Sequence, residues 1–94
     1  MNAEHLAVIV YDISDDRSRT RAAKLLERSL ARVQESVFEG WMTRAAAERL
    51  AASVGRLAGD DGSVRLYLLP RASVPKCRAW GFPPAPEQDD FLLV

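Results

Sequence analysis

The chain has little from which a disulfide-stabilised or cysteine-ligated metal protein could be built. Its 94 residues include one cysteine, Cys77, so an intrachain disulfide and a cysteine metal cage are both excluded. There is one histidine, His5, and no apolar run approaches the ~20 residues needed to span a bilayer. The start, "MNAEHLAV", lacks the basic region and long apolar core of a signal peptide. We therefore expect a cytoplasmic protein with no membrane partner.

The chain also lacks net charge, because 13 basic residues balance 13 acidic ones. A field over the whole molecule is absent, so any binding of nucleic acid has to depend on local clustering. One such cluster lies between residues 17 and 32, where six basic residues accompany a single acid, Glu27. Its members are Arg17, Arg19, Arg21, Lys24, Arg28 and Arg32. This segment is the candidate surface for an anionic partner.

What the sequence does contain is a regular succession of strand and helix patterns. Apolar, β-branched runs predict strands within residues 5–11, 32–42 and 63–70, and amphipathic spacing predicts helices at 17–31 and 44–58. The middle run is too long for one strand, so we expect two short strands with a break near residues 34–36. Asp15 or Asp16 is expected to cap the first helix, and Thr43 the second.

This β-α-β-β-α-β order predicts an α+β fold of the ferredoxin-like class, with an antiparallel sheet and two helices on one face. We expect this domain to occupy residues 1–80 and a proline-rich tail to occupy residues 81–94, with the final "FLLV" as an added edge strand. Two helices cover only one face of the sheet, yet the first and last strands look apolar on both faces. A second copy of the chain is the simplest cover, so the sequence predicts a homodimer.

Three acids, Asp12, Asp15 and Asp16, follow the first strand within five positions. An aspartate that ends a strand is ordinary in a turn, but carboxylate oxygens are also the ligands that magnesium prefers. One aspartate offers too few ligands, although a twofold axis near the strand end would supply a second Asp12. Mg²⁺ or another divalent cation held there would activate water for phosphodiester hydrolysis. The residues alone leave the structural and the metal-binding interpretation of Asp12 open.

The basic residues of the first predicted helix do not all share one face. Arg17 and Arg21 are four apart and lie together, and Lys24 and Arg28 extend their face, whereas Arg19 points elsewhere, toward Asp12. Such a face is either an ordinary solvated helix surface or a set of phosphate contacts beside exposed backbone amides at the helix start.

Three motifs occur in a fixed order: "YDISDD" at residues 11–16, "RVQESVFE" at 32–39 and "DGSVRLY" at 61–67. Together they resemble the small CRISPR-associated adaptation proteins of the Cas-two family, over roughly the first three-quarters of the chain. The resemblance implies a ferredoxin-like homodimer with metal-dependent endonuclease activity in some members. In other members it implies a scaffold that holds a duplex between copies of a partner integrase. The chain departs from the family at Leu30-Ala31, where many members have Tyr-Gly.

The resemblance also implies roles for individual residues. The family's metal-binding aspartate corresponds to Asp12, its following arginines to Arg19 and Arg21, its second-strand arginine to Arg32 and its aromatic residue to Phe38. The implied catalytic residues are therefore Asp12, Arg19 and Phe38, with Asp12 as the metal ligand. The implied nucleic-acid-binding residues are Arg17, Arg19, Arg21, Lys24, Arg28 and Arg32.

Two functions remain open at this stage. The first is a homodimeric, magnesium-dependent endonuclease that acts on RNA or DNA in CRISPR adaptation and binds a duplex with the integrase. The second is a non-catalytic dimeric scaffold for duplex DNA and the integrase. Both use the same arginines, and only the first requires Asp12 to hold a metal. A third class, a ferredoxin-like dimer that binds small ligands or proteins, is disfavoured by the arginine-rich helix and the motifs.

Overall fold

The structure, a computed structural model, describes residues 4–84. Its strands are Glu4–Asp12 (β1), Ala31–Gln34 (β2), Val37–Thr43 (β3) and Ser63–Leu69 (β4). Helix Asp16–Glu27 (α1) joins β1 to β2, helix Arg44–Ala58 (α2) joins β3 to β4, and a 3₁₀ helix follows at Arg71–Lys76. Within residues 4–84, neither helix has the length and apolar character that crossing a membrane requires. The strand predicted at "FLLV" lies outside the described residues, and the domain boundary predicted at residue 80 stays a prediction.

The four strands form one sheet in the order β2-β3-β1-β4, and every neighbouring pair is antiparallel. This topology confirms the predicted ferredoxin-like fold. The long middle run divides at Glu35 and Ser36, as the sequence indicated, and a bulge interrupts β2 between Arg32 and Gln34. The Tyr11 amide donates to the Ser36 carbonyl oxygen at 3.1 Å, and this bond fixes the β2–β3 turn beside the end of β1.

Both helices begin at the capping residues that the sequence offered. Asp15, one of the two predicted candidates, accepts a hydrogen bond from the Ser18 amide at 2.9 Å. Thr43 accepts one from the Ala46 amide at 3.2 Å. Each bond satisfies an amide that has no partner within its helix, which is why short polar side chains are preferred there.

Helix α1 ends four residues before the predicted limit at Ala31, so that limit was wrong. The amides of Ser29 and Leu30 both donate to the Leu26 carbonyl oxygen, at 3.1 and 2.9 Å, which closes the helix. Leu30 is then buried over Gly40 of β3, where an added Cβ would lie 2.8 Å from Leu30 Cδ2. This tertiary contact ends α1, and the helical pattern of the sequence does not contain it.

The two faces of the sheet differ because strand side chains alternate between them. The helix-covered face carries Ala7, Ile9 and Tyr11 of β1 and Phe38 of β3, which pack with buried residues of α1 and α2 into one apolar core. By alternation and strand register, the opposite surface, called the helix-free face below, includes ten side chains that matter for the site and its surroundings. These are Leu6, Val8, Val10, Asp12, Val37, Glu39, Trp41, Arg65, Tyr67 and Leu69.

The helix-free face is covered at one end only. Val74 of the 3₁₀ helix and Leu6 are both buried, and the Arg71 guanidinium lies 4.4 Å from the centre of the Trp41 ring. Toward the other end Val8 and Val10 are half-buried and Tyr67 is 49% exposed. A groove of about 410 Å³ separates residues 77–84 from Leu6, Val8 and neighbouring side chains of this face. Within residues 4–84, the part of the face around Val10 is therefore open to solvent.

Candidate functional site

Asp12 lies at the end of the central part of the sheet, as the last residue of β1. It is exposed, and its register partner on β4 is Ser63. Its carboxylate forms no hydrogen bond or ion pair with any residue between 4 and 84. A carboxylate in this position is available to a ligand from solvent or from another molecule.

The other two acids of the motif are occupied within the chain. Asp15 caps α1, and the hydrogen bond from the Ser18 amide is the main reason that the pKa of Asp15 lies below its ordinary value. Asp16 pairs with the Arg19 guanidinium. Of the three acids that the sequence singled out, Asp12 alone keeps its carboxylate open within the described residues.

Arg19 turns back toward the loop after Asp12 but does not contact the Asp12 carboxylate. Its Nη1 donates to the carbonyl oxygens of Ile13 at 3.2 Å and Ser14 at 3.0 Å, while Nη2 contacts Asp16. A guanidinium holds several acceptors in a fixed plane, so these bonds tie the loop to the first turn of α1. Arg19 therefore connects the loop after Asp12 to α1, and its predicted roles in catalysis and nucleic-acid binding stay predictions.

Arg32 and Phe38 meet at the outer strand pair. The Arg32 guanidinium carbon lies 5.4 Å from the centre of the Phe38 ring, Nε donates to the Glu35 carbonyl oxygen at 3.0 Å, and Nη1 lies 3.7 Å from Glu27. Phe38 is fully buried and stacks on Tyr11, with ring centres 6.1 Å apart. A catalytic effect of Phe38 stays a prediction, and from this position it would act through Tyr11 and Arg32 rather than by touching a substrate.

Four basic side chains form an exposed stripe along the outside of α1. At 100° per residue, Arg17, Arg21, Lys24 and Arg28 fall within an arc of about 60°, opposite the buried residues Ala22 and Leu26. All four are exposed, and none of their side chains has a hydrogen-bond or ion-pair partner among residues 4–84. These residues, the basic stripe, are available for contacts with anions, whereas Arg19 and Arg32 are engaged within the chain.

The start of α1 offers less to an anion than its sequence suggested. The Ser18 amide, one of the donors at the helix amino terminus, is already bonded to Asp15. The negative Asp15 and Asp16 side chains also lie in this first turn. Phosphate contacts at α1 would therefore depend on the side chains of the basic stripe rather than on backbone amides.

Residues 4–84 of a single chain do not complete a magnesium site. Between residues 4 and 84, no group of three or more His, Cys, Asp or Glu side chains comes together as a set of metal ligands. The chemistry of Asp12 fits a hard cation, because an open carboxylate oxygen is what Mg²⁺ prefers, but one ligand is too few. Beyond the described residues, water, phosphate oxygens and a second copy of the chain are further sources of ligands.

Gly62 contributes to the site in a way that the motif search missed. A Cβ at this position would lie 2.8 Å from the Ala58 carbonyl oxygen and 3.0 Å from the Asp12 carbonyl oxygen. Only glycine lets the turn before β4 approach the end of β1 this closely. The signal was present in the "DGSVRLY" motif, but its physical reason becomes visible only when α2, β1 and β4 meet.

The described residues thus form a small ferredoxin-like protein with an open carboxylate at the end of its central strand and a basic helix beside it. The sequence profile of the family described as CRISPR associated protein Cas2 matches residues 5–76. A relative from Thermococcus kodakarensis, named CRISPR-associated endoribonuclease Cas2, is 42% identical over 83 residues, which are 87% of this chain and 94% of that protein. The chain belongs to the CRISPR-associated Cas2 family.

Other comparisons agree with the fold. Relatives of the same name from Mycobacterium tuberculosis are 42% identical over 60 residues, and the match covers 53% of their length, about half. The solved hypothetical protein TT1823 from Thermus thermophilus has a TM-score of 0.69 at 28% identity, covering 90% of this chain and 98% of that one. A chain of a partial Cas6-RT-Cas1–Cas2 complex has a TM-score of 0.69 at 23% identity, covering 88% and 92%, which is a likeness of fold.

Proposed function

We propose that this protein acts in CRISPR adaptation as a homodimeric, magnesium-dependent endonuclease that cleaves phosphodiesters and binds a duplex together with an integrase partner. The observation that carries the proposal is the pair of open groups in one chain: the Asp12 carboxylate at the end of β1, and the basic stripe of the helix that begins four residues later. The first group is suited to hold a cation, and the second is suited to bind the phosphates of a nucleic-acid backbone. The names of the relatives, CRISPR-associated endoribonuclease, support RNA as one substrate to test.

Two copies of the chain supply what one copy lacks. Asp12 lies on the helix-free face, the side of the sheet that the two helices leave uncovered. A twofold axis near the end of β1 would bring a second Asp12 to the first, giving two carboxylates for one cation. When bound, Mg²⁺ would supply the activation of water and the neutralisation of charge on the phosphate. Asp12 would hold it, and Arg19 would fix the loop that follows Asp12.

The basic stripe would bind the phosphodiester backbone without reading its sequence. Its four cations lie on the outside of α1 and have no partner among the described residues, so they can exchange counterions for phosphates. The stripe lies in the helix layer, apart from the sheet face that a second copy would cover. Dimer formation and nucleic-acid binding would therefore use different surfaces of the chain.

A scaffold without turnover is the second candidate, and one observation favours it. Within residues 4–84 of a single chain, Asp12 is not part of any group of three or more His, Cys, Asp or Glu side chains that could hold a metal ion. A dimer that held a duplex for the integrase would need the basic stripe and the dimer contact but no cation. In this case Asp12 would serve the turn at the end of β1 rather than hydrolysis.

Cleavage assays with and without Mg²⁺ distinguish the two candidates. The wild type is compared with Asp12→Ala and with the matched control Asp60→Asn, an exposed acid in the turn after α2, on single- and double-stranded RNA and DNA. An endonuclease cleaves at least one substrate only with the metal, Asp12→Ala abolishes cleavage while binding survives, and Asp60→Asn behaves as wild type. A wild type that binds duplex but cleaves nothing, with or without the metal, would establish the scaffold instead.

The basic stripe has a separate test. Replacing Arg17 and Arg21 by alanine should weaken binding of all sequences alike. It should also reduce the slope of log K against log salt, by about 0.9 for each duplex-DNA phosphate that the variant no longer neutralises. The matched control replaces Arg44 and Arg49, two exposed arginines of α2, by alanine. Equal affinity and equal salt slope in the Arg17/Arg21 variant and the wild type would show that the stripe is only a solvated surface.

A further inference from the structure

The part of the helix-free face beyond the 3₁₀ helix is neither uniformly apolar nor uniformly charged, and on one side of it Val8 and Glu39 line the groove that residues 77–84 border. Val10 lies at its centre, with Val37 of β3 and Arg65 of β4 as its register partners. Two residues earlier on β1, Val8 lies between Glu39 of β3 and Tyr67 of β4. The face thus carries an apolar strip along β1, a carboxylate on one side of that strip and a guanidinium on the other.

Neither charge has an opposite partner within the described residues. Among residues 4–84, ion pairs form at Arg19–Asp16 and Arg32–Glu27 only. Arg65 makes a long hydrogen bond of 3.4 Å from Nη1 to the Tyr67 hydroxyl. Glu39 is half-buried and lines the groove, and this burial raises the pKa of its carboxyl. A partner for this face would gain most by bringing a cation to Glu39 and an anion to Arg65.

A second copy of the same chain would bring a cation to Glu39 and an anion to Arg65 in one contact. A twofold axis that runs along β1 in the plane of the contact exchanges left and right, so β4 of one copy lies over β3 of the other. Arg65 then faces Val37 of the partner subunit, one row from Glu39 of the partner subunit. Rows on one face are about 7 Å apart and facing sheets about 10 Å apart, distances that long side chains span diagonally. The same axis places the two Asp12 residues near each other.

We propose that Arg65 of each protomer forms an ion pair with Glu39 of the other across this twofold axis, flanking the apolar strip of Val8 and Val10. The proposal rests on the homodimer proposed above and adds the register in which the two faces meet. Two symmetry-related pairs on either side of the strip would resist rotation of one sheet over the other, because any other alignment leaves charges unpaired. The pairs would thereby hold the two Asp12 carboxylates in one relative position.

Charge reversal tests the pairing directly. In a homodimer of Glu39→Arg, both pairs become arginine against arginine, and in a homodimer of Arg65→Glu, both become carboxylate against carboxylate. A mixture of the two variants can form heterodimers in which both pairs are again of opposite sign. The double variant E39R/R65E likewise regains two opposite pairs in its own homodimer. Dimer dissociation constants are measured by analytical ultracentrifugation, and heterodimers are counted by native mass spectrometry with one variant isotopically labelled.

The expected result is a dimer dissociation constant on the order of tenfold or more higher for each single variant. Recovery toward the wild-type value is expected in the mixture and in the double variant. Matched controls on the helix layer, Glu48→Arg and Arg49→Glu, make the same charge changes at exposed sites of α2 and should leave the constant unchanged. Melting curves verify that every variant is folded.

If a charge reversal does not fold, the neutral variants Glu39→Gln and Arg65→Gln replace it, and a double-mutant cycle on dimerisation measures the coupling. A coupling of zero, or single variants that match the controls while the wild type dimerises, overturns the ion pair and leaves the dimer standing. Weakened single variants that do not recover on mixing also overturn it. A wild type that is monomeric at high micromolar concentration removes the dimer and the ion pair together.

Discussion

The helix-covered and helix-free faces of the sheet are built from alternate residues of the same strands, yet they differ in kind. On the covered face Ala7, Ile9 and Phe38 are completely buried, and no charged side chain of the described residues is buried with them. On the helix-free face the apolar residues Val8 and Val10 are interleaved with neighbours of both charges. One set of positions stabilises the fold, and the other carries charges, Glu39 and Arg65, that have no opposite partner among residues 4–84.

This difference indicates that the residues that stabilise the fold and the candidate functional residues are different sets in this small chain. Asp12, Glu39 and Arg65 are not among the buried residues of the core, so replacing them should leave the monomer folded. The covered face has no such tolerance, because a chain of this length buries only about 60–65% of its unfolded surface and is marginally stable. Four changes test the comparison, beginning with the largest expected effect.

Truncation of the largest fully buried side chain should do the most damage. Phe38→Ala removes a ring that contacts Tyr11 and Arg32 in the core, and buried Phe→Ala changes cost about 3–5 kcal/mol. Urea unfolding followed by circular dichroism measures this loss. The counterpart on the other face is Tyr67→Ala, which should change the monomer's free energy of unfolding by about 0.5 kcal/mol or less at dilute concentration. Similar losses for both variants would erase the distinction between the faces.

A methyl group at residue 62 tests how tightly the end of β1 is fixed. Gly62→Ala should destabilise the chain by about 1–3 kcal/mol, because the new Cβ meets backbone atoms of Ala58 and Asp12 that cannot move independently. Any metal-dependent cleavage should fall with it, since Asp12 shifts. Gly55→Ala is the matched control, because a Cβ at this position inside α2 would meet only the Val64 side chain. This change should be neutral or stabilising by up to about 1 kcal/mol. Equal effects at both glycines would contradict the close approach at Gly62.

Removal of the α2 cap should have a smaller effect. Thr43→Ala deletes the acceptor for the Ala46 amide and should cost about 1 kcal/mol of unfolding free energy. Thr43→Ser keeps the hydroxyl and should retain most of it. Thr43 ends β3 and caps α2, a helix that packs on the covered face. The loss therefore measures how much the capping of this helix contributes to the free energy of unfolding. If Thr43→Ser lost as much unfolding free energy as Thr43→Ala, the methyl group rather than the capping hydrogen bond would be responsible.

The smallest effect is expected at Glu39 and concerns pH. Burial raises the pKa of Glu39 above its ordinary value of 4.5, so the folded chain binds this proton more tightly than the unfolded chain does. The stability of the wild type relative to Glu39→Gln should therefore be highest below about pH 4.5 and should fall as the pH rises through the raised pKa. Melting temperatures of dilute samples across this range measure the difference, with the exposed Glu48→Gln as control. A difference that does not change with pH would show that Glu39 is fully solvated.

The pattern of the sequence was enough to predict the elements that depend on neighbours along the chain. The break at residues 35–36, the cap at Thr43 and the shared face of Arg17, Arg21, Lys24 and Arg28 follow from local spacing and agree with the structure. The contacts of Arg19 could not be predicted, because its partners are backbone carbonyls whose direction depends on how the loop after Asp12 turns. The end of α1 was missed because Leu30 packs on Gly40, ten residues away.

The sequence by itself therefore determined the order of strands and helices, the ferredoxin-like fold and the presence of a carboxylate beside a basic helix, since each is a matter of periodicity and residue type. Only the tertiary structure decided which of these groups remain available. It placed Asp15 and Asp16 in contacts within the chain, left Asp12 open, and set Glu39 and Arg65 on one face. The reason is physical: availability depends on distances between segments remote in sequence, and those distances exist only once the sheet has formed.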